Sequence, residues 1–269
     1  MSRPASRDDD LALAASLAEA ARPIALAYFR TGLTADAKPG AEFDPVTEAD
    51  RGVEAAIRAR LDAARPEDGV LGEEQAAKPS RSGRTWVIDP IDGTRAFIAG
   101  LPTWTILIAL QGAGGPVLSV IDQPFTGERF FGVCGERAWL ERAGVRSELR
   151  TRRCETVSDA IFSTTDPGLF SPAETPAVSA LAAGAKVRRF GLDAYAYAAL
   201  ALGGVDLVVE SGLKPWDAAA LIPVVTGAGG VVSNWSGGPC HEGGQVVAAA
   251  TPALHAEALA VLKPAAGAA

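Results

Sequence analysis

With 269 residues, 48% of them hydrophobic, the chain is long enough to bury a substantial core, as one large domain or as two subdomains. A formal net charge of −7 speaks against nucleic acid as a partner and against anchoring at an anionic membrane surface, since both need a basic face. Cys134, Cys154 and Cys240 are far apart and form no Cys-x-x-Cys, so neither a disulfide framework nor a zinc site is indicated and the natural setting is a reducing cytoplasm; with only His241 and His255 available, a metal site here must be built from oxygen.

The N-terminal stretch is polar and acidic, unlike a signal peptide, and no window has the run of uncharged apolar residues that a membrane span needs. Residues 1–10 and the tail from Lys263 read as loose. An alanine-rich helical pattern follows from Leu11, kinked at Pro23 and ended at Thr31-Gly32. Residues 35–45 read as a loop or an edge hairpin. A second helix opens at Val46-Thr47-Glu48-Ala49-Asp50 and runs to about Ala64, with Thr47 as its N-cap and Asp50 near a capping-box position. Residues 69–72 form a short strand ending in Glu73-Glu74. A polar loop then leads to the strand Trp86 to Ile88. Segments 105–110, 117–122, 129–134 and 137–140 read as an antiparallel meander. Residues 151–155 mark a subdomain boundary, giving a single catalytic unit with parts at roughly 1–150 and 151–269. The second half alternates strands (160–163, 186–190, 205–210, 246–250) with helices (176–183, 194–202, 216–226 despite Pro223, and 252–262), which implies a layered α/β arrangement.

The chain is organised around Trp86-Val87-Ile88-Asp89-Pro90-Ile91-Asp92-Gly93-Thr94. Two carboxylates where a strand gives way to a turn are badly placed for a core and well placed for a hard cation such as magnesium. The amides of Gly93 and Thr94 could open a helical turn and so form an anion pocket beside it. A cation next to an anion pocket is the arrangement phosphate chemistry uses. Glu73 and Glu210 also follow apolar strands, and Asp217 opens a helix. Each acid alone has an ordinary explanation as a cap or strand-end charge; together they exceed what packing asks for.

Gly72-Glu73-Glu74, Asp89-Pro90-Ile91-Asp92-Gly93-Thr94 and Trp216-Asp217-Ala218-Ala219-Ala220 with Ala228-Gly229-Gly230 resemble the inositol monophosphatase superfamily, and Val46-Thr47-Glu48-Ala49-Asp50 matches its upstream motif. The motifs span roughly residues 40–230 in the family's order. The resemblance implies a layered αβαβα sandwich of the inositol monophosphatase and fructose bisphosphatase type. It implies two or three magnesium ions held by Glu73, Asp89, Asp92, Asp217 and the Ile91 carbonyl. It implies phosphate contacts from Gly93 and Thr94, and a Thr94–Asp50 dyad, with Glu73, at an attacking water. It also implies a homodimer. Such a site hydrolyses a phosphate monoester by in-line attack of an activated water, without a covalent intermediate.

The extension Arg95-Ala96-Phe97-Ile98-Ala99-Gly100-Leu101-Pro102, together with Arg189-Phe190-Gly191-Leu192-Asp193-Ala194-Tyr195-Ala196-Tyr197, looks more like the histidinol-phosphatase branch. Histidinol phosphate carries an ammonium and an imidazole, and Asp193 and Glu210 could pair with them. Asp193 could equally cap the helix that follows, and Glu210 could bind sugar hydroxyls. The other readings are an inositol-1-phosphate or broad sugar-phosphate phosphatase and, from a different class, a non-catalytic binding protein on the same fold.

Overall fold

The computed structural model describes residues 6–32, 36–37 and 45–267. Helix α1 (Arg7–Tyr28) is followed by a two-stranded antiparallel pair, β1 (Asp36–Ala37) with β2 (Pro45–Val46), and by helix α2 (Glu48–Ala64). Next come β3 (Gly69–Gly72), β4 (Thr85–Asp92), the short α3 (Thr94–Ile98), β5 (Thr105–Gly112), β6 (Gly115–Gln123), β7 (Glu128–Val133), β8 (Arg137–Arg142) and β9 (Val145–Glu148). The second half runs β10 (Ile161–Thr164), α4 (Thr175–Gly184), β11 (Val187–Phe190), α5 (Tyr195–Ala201), β12 (Leu207–Leu213), α6 (Pro215–Ala219), α7 (Leu221–Gly227), β13 (Val231–Asn234), β14 (Gly244–Ala249) and α8 (Pro252–Leu262).

Seven strands, β3 to β9, lie side by side in sequence order; β3 is parallel to β4 and every later pair is antiparallel. The second sheet is mixed, in the order β11-β10-β12-β14-β13, with β10 parallel to both β11 and β12. The period-two pleat of the strands sorts their side chains into layers. Trp86, Ile88, Ile106, Ile108 and Leu110 face one way, where Leu17, Ala21, Val53 and Ile57 of α1 and α2 cover them. Val87, Leu107 and Ala109 face the other way, onto Ala198, Leu200, Leu221 and Val224 of α5 and α7 and onto Val208 and Val246 of the second sheet. Leu207, Val209, Val247 and Ala249 point outward again, against Val178 and Leu181 of α4 and Leu254 and Leu262 of α8. The result is helix, sheet, helix, sheet, helix: the αβαβα sandwich expected from the motifs. One close approach depends on a glycine. A Cβ at Gly132 of β7 would lie 2.3 Å from the Pro223 carbonyl carbon and Val224 nitrogen, so α7 seats on the sheet only because no side chain stands there.

Several expectations are corrected. α1 begins at Arg7 rather than Leu11, because Ser6 and Asp9 form a capping box, and it runs through Pro23 without a break. α1 is long enough and apolar enough in mean hydropathy to cross a membrane, although Glu19 and Arg22 interrupt its apolar run, in keeping with the expectation of no uncharged span. In this fold its small-residue face packs on the core, and Arg22 pairs with buried Asp122 at 2.8 Å. Lys263–Ala265 closes a 3-10 turn with Ala265 buried, so the tail is ordered there; residues 1–5 and 268–269 lie outside the described residues, as does most of the expected 35–45 hairpin apart from its two paired ends. The single helix expected over 216–226 is two, α6 and α7, joined at Ala220; Pro223 then falls in the first turn of α7, where a missing N–H is tolerated. β9 and β13 were not anticipated.

Candidate active site

Strand β4 continues past Ile88 to Asp92, with a register shift against β5 between Asp89 and Asp92. In a regular strand, residues three apart point to opposite faces. The irregularity turns both carboxylates toward one cavity. Asp217, in the first turn of α6, completes the group: one oxygen from each of Asp89, Asp92 and Asp217 lies within 4.8 Å of the others. Backbone N–H groups orient all three. Ile91 donates to Asp89 Oδ1 at 3.1 Å, Ala194 to Asp92 Oδ2 at 2.7 Å, and Lys214 to Asp217 Oδ2 at 2.7 Å. The cavity, of about 250 Å³, is also lined by Glu73, Ile91, Gly93, Thr94, Arg95, Asp193, Tyr197 and Glu210.

Burial, then the charges of Glu73, Asp92 and Asp217, pushes Asp89 well above the ordinary carboxylate range. Burial, then Asp193 and Asp217, pushes Asp92 up as well, against the opposing N–H of Ala194. Carboxylates crowded this closely repel one another unless protons or a cation intervene. Their hard oxygen donors suit magnesium, so the residues present fit such an ion.

A second acidic pair faces the same cavity from the other half of the chain. Glu210 precedes an irregularity in β12 and is buried; the N–H and hydroxyl of Thr165 donate to its Oε1 at 2.7 and 3.0 Å, and Thr164 donates to Oε2 at 3.3 Å. Burial nevertheless raises Glu210 to about 8. Asp193 has φ of 47°, the left-handed region, which Asp tolerates better than most residues. It is not a cap: the N-cap of α5 is Ala194, with no side-chain cap bond. Its carboxylate lies beside Gly93, where an added Cβ would approach it to 3.2 Å, and burial, opposed by Arg95, raises it to about 6.

Asp50 stands behind the cavity, 1% exposed. Its Oδ2 accepts from the N–H and the hydroxyl of Thr47, closing the capping box of α2. Burial raises it to about 6. The Thr94 hydroxyl donates to the Ile91 carbonyl at 3.0 Å rather than to Asp50. The cavity lining takes in every sequence-derived site residue except Asp50, whose charge still reaches Asp89, and the expected Thr94–Asp50 hydrogen bond is replaced by a local one for each residue. Thr164 and Thr165, which hold Glu210, were not anticipated, and no spacing marks them. Glu54 was not anticipated either, although an acid four residues after Asp50 on a buried helix face is a legible signal.

The profile of the inositol monophosphatase family matches residues 7–265. The chain belongs to that family. The chloroplastic bifunctional phosphatase IMPL2 of Arabidopsis thaliana is 42% identical over 224 residues, which make up 82% of this chain but only 63% of that longer protein. A histidinol-phosphatase of Chlorobaculum parvum is 38% identical over 230 residues, covering 85% of this chain and 86% of its own length. The solved structure of an inositol monophosphatase from Zymomonas mobilis matches with a TM-score of 0.85 at 41% identity, covering 96% of this chain and 99% of that one. As a member of the inositol monophosphatase family, a metal-dependent family, the chain is a phosphoric monoester hydrolase acting on small phosphate esters.

The raised Glu210 links this site to stability. Its folded value of about 8 lies above its ordinary 4.5, so the folded chain holds that proton more tightly than the unfolded chain does. The contribution is fully present below about pH 4.5 and is lost as pH rises through about 8. In metal-free protein, the Glu210→Gln variant should therefore lose less melting temperature than the wild type between those limits. Parallel melting curves for the two proteins would contradict the assignment.

Proposed function

We propose that this family member hydrolyses L-histidinol phosphate, with magnesium, two or three ions per site, held by Glu73, Asp89, Asp92, Asp217 and the Ile91 carbonyl. The carrying observation is Asp193: a carboxylate in a left-handed backbone, unused as a helix cap, lining the same cavity as the three-aspartate cluster. A neutral polyol could offer hydroxyls to these acids but no charge to offset theirs. A phosphate ester whose alcohol carries an ammonium and an imidazolium offers that charge. A charge-assisted hydrogen bond nets about 1.5–3 kcal/mol, roughly ten- to a hundredfold in affinity. Likeness to the Chlorobaculum histidinol-phosphatase supports the same reading.

Bound there, the metal would supply Lewis-acid charge to the phosphate and acidify a water. The chain's own groups do the rest. Gly93 and Thr94 offer backbone N–H groups to the phosphate oxygens at the start of α3. Because Thr94 Oγ1 gives its proton to Ile91, its lone pairs face outward as acceptors, able to orient a water for in-line attack. Asp50, raised to about 6, and Glu73 are the acids placed to take up the proton that water loses. Asp193 and Glu210 hold the cationic end of the alcohol. The runner-up, inositol 1-phosphate, draws on the likeness to the Zymomonas enzyme, and Glu210 would then accept from a sugar hydroxyl.

Purified protein should release phosphate from L-histidinol phosphate much faster than from inositol 1-phosphate, and EDTA should abolish both. The reverse order would establish the polyol reading, and full activity in EDTA would remove the metal from the account. Asp193→Asn should raise KM for histidinol phosphate about tenfold or more, while KM for inositol 1-phosphate changes little. Equal effects on both esters would assign Asp193 to structure alone.

A further inference from the structure

Glu54 lies on α2 one turn after Asp50 and is fully buried. A carboxylate in that position is costly unless it is paired and bonded, and here both its oxygens are used. Oε2 accepts from the backbone N–H of Glu74 at 2.8 Å. Oε1 accepts from the N–H of Gln75 at 3.2 Å and from Arg58 Nε at 2.7 Å. Arg58 then reaches onward, donating through its other arm to the Gln75 carbonyl at 3.1 Å. The bend 73–75 is thus gripped at both the N–H and the C=O of one peptide neighbour by two side chains one helical turn apart. The grip is close: a Cβ on Gly72 would lie 2.3 Å from Glu54 Oε1, so glycine is what lets the carboxylate pass beneath the end of β3.

Asp50, Glu54 and Arg58 occur at i, i+4 and i+8, a single stripe along α2. One end of the stripe holds the buried acid behind the cavity. The rest of it clamps the bend that carries Glu73 into the cavity. We propose that Glu54 is a positioning residue for the metal centre: acting through the amides of Glu74 and Gln75, and supported by Arg58, it sets where the Glu73 carboxylate stands relative to Asp89. The proposal rests on the reading of Glu73 as a metal ligand. Groups that orient a ligand without touching the metal typically change metal affinity by about 10- to 100-fold when altered. Glutamine at position 54 keeps the shape but offers a single acceptor oxygen where three N–H donors meet two, and its NH₂ group opposes whatever faces it.

The test is calorimetric magnesium affinity of metal-free wild type, Glu54→Gln, Glu54→Asp and Glu73→Gln, alongside the melting temperature of each metal-free protein. Glu54→Asp keeps the charge beside Arg58 but is too short to serve both amides. The expected result is that Glu73→Gln and Glu54→Gln each weaken magnesium binding about tenfold or more. Glu54→Asp should weaken it less, and the losses should not follow the order of the melting temperatures. Should Glu54→Gln fail to fold, Glu54→Asp decides. Wild-type magnesium affinity in the folded Glu54 variants, with the only change in melting temperature, would overturn the proposal. Wild-type affinity in Glu73→Gln would instead overturn the ligand reading beneath it, and the proposal with it.

Discussion

Mutual repulsion among carboxylates withdrawn from water is the constraint that shapes this molecule. Asp89, Asp92 and Asp217 offer oxygens within 4.8 Å of one another, with Glu73 on the same cavity wall. Burial and neighbouring charge push both Asp89 and Asp92 upward, which is the signature of groups poorly solvated as anions. A fold driven by stability alone would separate them. Holding them together requires rigid supports, and the structure supplies those as backbone N–H donors: Ile91, Ala194 and Lys214 each fix one carboxylate. Each donor belongs to an element end, where N–H groups are not consumed by regular pairing.

The layered architecture explains why those ends meet. The seven-stranded sheet delivers Glu73 after β3 and the aspartates at the close of β4. The second sheet delivers Glu210 from the middle of β12, and the chain then turns directly into α6 with Asp217. The helical layer between the sheets, α5 with α7, fixes their separation, and Gly132 lets α7 approach closely. The cavity sits where these layers meet, lined by the metal-type acids, by Glu210 and by Asp193, which lies beside Asp92 and Gly93.

Much of this was legible in the sequence because the signals are local. Asp89 to Thr94 is a contiguous motif, Glu210 closes an apolar run and Asp217 opens a helix, and the order of these motifs resembles one family's. The layers followed from strand–helix alternation. Other features were hidden for definite reasons. The irregularity that swings Asp92 round to join Asp89 has no period to detect. Whether Asp193 caps a helix or faces a cavity depends on one backbone dihedral, and helical periodicity does not report it. β9 is exposed along its whole length and carries no burial pattern, and β13 follows directly on a glycine-rich break. Glu54 shares a buried helix face with Asp50, but the backbone bend that it holds comes from residues about twenty positions further on.

The central claim is that the three aspartates form a cation site. Manganese, a magnesium substitute with usable anomalous scattering, soaked into crystals of the protein, tests it most directly. The account predicts an anomalous peak at bonding distance from carboxylate oxygens of Asp89, Asp92 and Asp217, lost in Asp92→Asn crystals. Manganese bound only at other acids, or no peak at this cluster under conditions that support turnover, would contradict it.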